Sequence, residues 1–143
     1  MVSLKGQCMC GTVQYAYEGE VGNVLNCHCT ECRQWHGAAF RTRTTGRLDA
    51  FCWLKGEDLV KRFEGDENPI KTFCEICGSN LVSLYKKDTS LVGLPIAAME
   101  GAVSLKPVAH VFVSEKAPWY EITDDLPQYP RFPDDMDVHL KAK

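Results

Sequence analysis

Eight cysteines are the unusual feature of this 143-residue chain. Seven of them fall in tight groups, Cys8-x-Cys10, Cys27-x-Cys29-x-x-Cys32 and Cys74-x-x-Cys77, and Cys52 stands alone between Phe51 and Trp53. Thiols so close in sequence suit a shared metal ion better than ordinary disulfides, and zinc is the metal such donor sets favour. A redox dithiol is the rival reading of the C-x-x-C pair, but no thioredoxin-like βαβ pattern surrounds it.

Cys74 and Cys77 form half of a zinc knuckle, with Gly78 placed to take a positive φ and let backbone N–H groups approach the thiolates. Cys8 and Cys10 are the best other half, expected on a strand whose residues i and i+2 point the same way. Four thiolates leave no open position, so Cys8, Cys10, Cys74 and Cys77 are expected to hold a structural zinc. Cys27, Cys29 and Cys32 offer one ligand fewer, the count typical of a catalytic site with a place for water or substrate. An ion on three thiolates is a weak Lewis acid, but coordination deprotonates a thiol at neutral pH. The expected chemistry is attack of a bound thiolate on a small carbonyl carbon, or its reverse, cleavage of a hemithioacetal C–S bond. Cys52, His28, His36 and His110 are the residues that can close this site instead, which would make it structural as well.

Arg33 adjoins the second cluster, and with Arg41 and Arg43 it can pair with the carboxylates of an anionic ligand. His28 lies between two expected ligands and should point away from the metal, into a supporting or surface role. His36 and His110 are candidate proton carriers or, more simply, structural histidines. Trp35, Trp53 and Trp119 fit a core or a pocket wall, since no dense basic stripe accompanies them.

The elements that position these residues are mostly β. Period-two patterns mark Thr12 to Tyr17, with Val13, Tyr15 and Tyr17 on one face, and short strands over Phe40–Thr44, Leu59–Phe63, Ile70–Phe73, Leu81–Tyr85, Leu91–Leu94 and Ala109–Val113. Cys29 to Trp35 predicts one helical turn behind a metal ligand, and Glu57–Leu59 another short turn. The fold class expected is mainly β, in short antiparallel strands held partly by metal. The last stretch, 124–143, is rich in Pro and Asp and is expected to be a loosely packed or disordered tail after a domain spanning 1–123.

Composition is that of a globular chain, 45% hydrophobic and 24% charged, with a net charge of −3. That balance gives no electrostatic case for nucleic acid or an anionic membrane. The N-terminal residues lack a basic segment followed by an apolar run, and no stretch approaches bilayer-spanning length, so a cytoplasmic protein is expected.

With these residues in hand, the sequence resembles the glutathione-dependent formaldehyde-activating enzyme family, whose domain centromere protein V shares. The resemblance rests on Cys8-x-Cys10-Gly11-x-Val13, Cys27-His28-Cys29-x-x-Cys32-Arg33, Phe73-Cys74-x-x-Cys77-Gly78-Ser79 and the late His110-Val111-Phe112-Val113 with Trp119, in that order from about Lys5 to Trp119. It implies a Mss4-like β fold and two zinc ions. Cys8, Cys10, Cys74 and Cys77 would carry the structural one, and Cys27, Cys29 and Cys32 the catalytic one. It implies carbon–sulfur lyase activity on the adduct of formaldehyde and glutathione, S-hydroxymethylglutathione. The alternatives are a glutathione carrier without turnover and a zinc-stabilised interaction scaffold. The chain departs from the family over Gly93–Gly101, which bears on the wall of the substrate pocket rather than on the metal ligands.

Overall fold

The computed structural model describes residues 1–66 and 69–133. Its elements are β1 (Val2–Gln7), β2 (Gln14–Gly19), β3 (Val24–Cys27), α1 (Thr30–His36), β4 (Arg41–Arg47), β5 (Phe51–Lys55), β6 (Val60–Phe63), β7 (Ile70–Cys74), β8 (Asn80–Leu84), β9 (Leu91–Leu94), β10 (Met99–Glu100) and β11 (Pro107–Val111), with short 3-10 turns between some of them. Two sheets result, ordered β10-β1-β2-β5 and β11-β3-β4-β9-β8-β7-β6. All pairings are antiparallel except β11 with β3. The mainly β expectation therefore holds.

The alternation in β2 does what its pattern requires. Tyr15 and Tyr17 are buried, with Val13 just before them, and join Leu4, Leu81, Val82, Val92 and Leu94 in a core drawn from both sheets. Both rings lie against glycines. A Cβ on Gly6 would stand 2.3 Å from the Tyr15 ring, and one on Gly46 2.5 Å from that of Tyr17. Tyr17 is then held by its hydroxyl, which donates to the Glu20 carbonyl and accepts from the Arg47 N–H.

Three strands escape the period-two pattern. In β1 the inward Gly6 interrupts it. In β3, paired with β4 and β11, every residue is buried, so both faces are covered and no alternation is visible. In β5, Phe51 and Trp53 pack edge-to-face near Tyr15, which turns Cys52 outward; that cysteine is exposed, not the buried packing residue expected from its neighbours. At the other end, β11 stops at Val111, two residues short of the expected Val113. Phe112 adopts a left-handed conformation (φ 55°) and a 3-10 turn follows. The start of the expected loose tail is attached to this strand: His110 N–H donates to the Pro127 carbonyl, Tyr129 N–H to that of His110, and Val113 N–H to that of Tyr129. The remainder of that stretch, 134–143, lies outside the described residues.

Candidate functional site

Two groups of thiols could each hold a metal ion. The first gathers Cys8, Cys10, Cys74 and Cys77. The two pairs sit in facing turns that close with a glycine in positive φ, Gly11 at 77° and Gly78 at 74°. Cys8 and Cys10 thus occupy the turn after β1, not a strand. The turns are locked by Gly11 N–H to the Cys8 carbonyl (3.0 Å) and Gly78 N–H to that of Cys74 (2.8 Å), and they are joined by Met9 N–H to Ser79 Oγ (2.8 Å). Sulfurs of Cys8 and Cys10 stand 3.5 Å apart, and those of Cys10 and Cys74 3.9 Å. A tetrahedral ion with metal–sulfur bonds of about 2.3 Å needs edges of about 3.8 Å, so the donor set fits zinc. Ser79, whose hydroxyl lies 3.2 Å from the Cys77 sulfur, holds that thiol down to a pKa of about 5.

The second group is Cys27, Cys29 and Cys32. Cys27 ends β3, Cys29 caps α1, and Cys32 lies in the first turn of that helix, where its N–H donates to Cys29 Sγ (3.2 Å). Cys29 is the one of the three whose pKa is lowered. Contacts from Cys27 and Cys32, the Cys32 N–H and the charge of Arg41 all lower its pKa. Cys32 is pushed up, chiefly by Cys27 and Cys29. All eight cysteines are free thiols.

No fourth protein ligand joins this group among the described residues. Cys52 lies on β5 in the other sheet. His28 alternates to the opposite side of the chain from its neighbours, as expected, but it goes into the interior, not to the surface. Its Nε2 meets His110 Nδ1 at 2.8 Å, and His110 Nε2 meets the Asp124 carboxylate at 3.0 Å. That contact holds the Asp124 carboxyl below the usual range. Burial, with His110 next in weight, pushes the pKa of His28 down to about 4. His36 Nδ1 accepts from the side chain of Asn80 (3.1 Å), and burial, then Arg41 and Arg43, lower it likewise to about 4. Neither histidine lines a cavity at the thiols.

What the three thiols do face is a cavity of about 740 Å³. Its strand wall comes from β4, where the period-two pattern puts Arg41, Arg43 and Thr45 on one face. Arg41 pairs across the ladder with Cys27, and Arg43 with Leu25. Both arginines carry buried nitrogens with no partner among the described residues, and so does the hydroxyl of Tyr85, over whose ring Arg43 lies at 5.5 Å. Gly93 makes room for them; a Cβ there would meet Tyr85 Oη at 2.8 Å and Arg43 Cδ at 2.9 Å. The rest of the unusual 93–101 stretch turns away, through a 3-10 turn into β10 beside β1, and forms none of this wall. Lys71 and Lys87 add two more cations, Lys71 ion-paired with Glu31 and stacked over Trp35 at 5.1 Å. Arg33 does not line the cavity. It lies near enough to His28 for its charge to lower that residue's pKa.

The sequence model of the glutathione-dependent formaldehyde-activating enzyme family matches residues 3–115, a span that contains both thiol clusters. The chain belongs to this family. The crystal structure of a Rhodobacter sphaeroides protein, a structural-genomics target, is similar: the TM-score is 0.57 and the identity 25%, over 68% of this chain and 88% of that one. No curated protein sequence matches the chain. Membership of the formaldehyde-activating family accords with two cysteine clusters able to bind zinc and with a cavity whose basic wall suits a glutathione-related ligand. No helix among the described residues is long and apolar enough to cross a membrane.

Sequence reasoning missed Tyr85, Lys71 and Phe112 as cavity residues. Tyr85 and Lys71 read as ordinary members of strands, and only the pairing of β7, β8 and β9 beside β4 brings them to the thiols. A lysine inside the strand pattern Ile70–Phe73 was the one legible sign, because a buried ammonium requires a partner.

Proposed function

We propose that the chain is a zinc-dependent carbon–sulfur lyase that interconverts a thiol–aldehyde adduct with its free thiol and aldehyde. Glutathione is the thiol and S-hydroxymethylglutathione the reference adduct. Cys8, Cys10, Cys74 and Cys77 hold a structural zinc; Cys27, Cys29 and Cys32 hold the second. Bound there, zinc supplies a position that keeps an incoming sulfur as thiolate at neutral pH. The observation that carries the reading is the juxtaposition of three thiols, lacking a fourth protein donor among the described residues, with a cavity lined by Arg41 and Arg43, each of which keeps one buried nitrogen without a partner among those residues.

The chain's own groups bind and orient. Arg41 and Arg43 receive ligand carboxylates through charge-assisted hydrogen bonds, and their buried nitrogens are then satisfied. Tyr85 offers a hydroxyl to the same region. The cavity places the adduct's sulfur beside Cys27, Cys29 and Cys32. In the lyase direction the C–S bond breaks with its electron pair going to sulfur, and the hydroxyl proton leaves as the carbonyl forms. Arg33, which does not line the cavity, is not among the ligand-binding groups in this reading. The reducing cytoplasm that keeps glutathione as thiol also suits a protein with eight free cysteines.

Turnover is the test. The zinc-loaded full chain is mixed with glutathione and formaldehyde, and adduct formation and decay are followed by NMR. Exchange faster than the uncatalysed rate, lost in Cys29→Ser, is expected. A folded, fully metallated protein that leaves the exchange rate at background refutes the lyase reading in favour of a glutathione carrier or a scaffold.

A further inference from the structure

The mouth of the thiol cavity has an aromatic wall that formaldehyde does not need. Phe112, held in its left-handed conformation at the end of β11, packs against the apolar cluster that contains Cys27 and Cys32. Phe132 stacks edge-on to it, with ring centroids 4.9 Å apart. Phe132 lines the large cavity, and also a small recess of about 30 Å³ shared with Cys27, Arg41 and Arg43, so it lies beside the thiols and not at a remote rim.

Phe132 is brought there by a built attachment. Asp124 is bonded to His110, and Pro127, Tyr129 and Pro130 run along β11, with Ser114 Oγ donating to the Pro130 carbonyl at 2.7 Å. This segment lies beyond the residues that match the family. With Phe112 from within the matched span, its Phe132 forms an apolar surface in the cavity that the thiols line.

The adduct with formaldehyde adds only one carbon and one oxygen to the thiol. The cationic groups of β4 suit the thiol's carboxylates, and Phe112 and Phe132 line the same cavity as the three thiols, so a substituent on sulfur shares that cavity with an apolar surface. Apolar walls reward apolar area, and one extra methylene in such a pocket changes discrimination by roughly 10- to 200-fold.

We propose that this site takes thiol adducts of aldehydes bulkier and more apolar than formaldehyde, and that Phe132 sets the preference. The inference rests on the lyase reading. The reaction is unchanged: the hemithioacetal C–S bond breaks, sulfur keeps the electron pair, the hydroxyl loses its proton, and nothing is oxidised or reduced.

The test compares glutathione adducts of hexanal and of formaldehyde as substrates for the zinc-loaded full chain. The expected kcat/KM is at least tenfold higher for the hexanal adduct. Phe132→Ala should shrink that ratio about tenfold, and Phe132→Leu should restore most of it. Phe132→Leu also serves as the informative variant if the alanine protein is poorly folded. A wild-type ratio at or below one overturns the inference while leaving the lyase reading intact. So does a ratio that survives in folded Phe132→Ala. Background rates with both adducts remove the lyase reading and this inference with it.

Discussion

Replacing Arg43 with methionine should push stability and ligand affinity in opposite directions. The guanidinium lines the cavity, its Nη1 is buried without a partner among the described residues, and burial followed by the charge of Arg41 lowers its pKa. A buried donor left unsatisfied costs about 1–3 kcal/mol. The contact over the Tyr85 ring returns roughly 0.5–1 kcal/mol of that. Arg43→Met removes both terms and keeps most of the volume, so the folded state should gain about 1–2 kcal/mol. Near this chain length, Tm moves roughly 2–4 °C per kcal/mol, which gives an expected rise of about 2–8 °C. A hydrogen bond from the same group to a ligand carboxylate is worth about 1.5–3 kcal/mol. Its loss should weaken glutathione binding roughly 10- to 100-fold. Thermal melts and a glutathione titration followed by the fluorescence of Trp35, which lines the cavity, measure both quantities on one protein. A lowered Tm with unchanged affinity would show that Arg43 serves the fold, and the carboxylate argument would be wrong.

Cys74→Ser should strip the first metal ion and unfold the domain, whereas Cys29→Ser should lose one equivalent of metal with the far-UV circular dichroism retained; metal analysis with circular dichroism separates the two. His36 is kept neutral by burial, with a pKa of about 4 against an unfolded value near 6.5. The unfolded state therefore binds more protons between those values, and stability falls as pH drops through 6.5. From pH 7.5 to 5.5, urea unfolding should cost wild type roughly 1 kcal/mol more than His36→Gln; equal losses would contradict the burial argument. Gly6→Ala drives a Cβ into the Tyr15 ring, an overpacking that should destabilise by about 3 kcal/mol, visible as a lower urea midpoint with an unchanged m-value.

The chemistry of the chain was more legible than its frame. Thiol spacing grouped all seven clustered cysteines as the structure groups them, because each close pair is a local turn whose geometry travels with its sequence. Alternation disclosed β2 and the polar face of β4 that carries Arg41 and Arg43. It failed for β3, which is covered on both sides, and for β5, where Cys52 alternates outward between two aromatic residues that face Tyr15. Of the three arginines proposed to meet ligand carboxylates, Arg41 and Arg43 line the cavity, whereas Arg33, beside Cys32 in sequence, does not. The partners of His28 were invisible for another reason. His110 and Asp124 lie far along the chain, and it takes both the parallel pairing of β11 with β3 and the attachment of the following segment to β11 to set the three side by side.

The central claim is that Cys27, Cys29 and Cys32 hold an ion with one place free for a foreign sulfur. Zinc-edge X-ray absorption on the fully metallated chain, before and after glutathione, counts the sulfurs directly. Seven for two ions, rising to eight with the thiol, is the expected result, since one cluster supplies four thiols and the other three. Eight before any thiol is added, or seven unchanged by a large excess, would contradict the account.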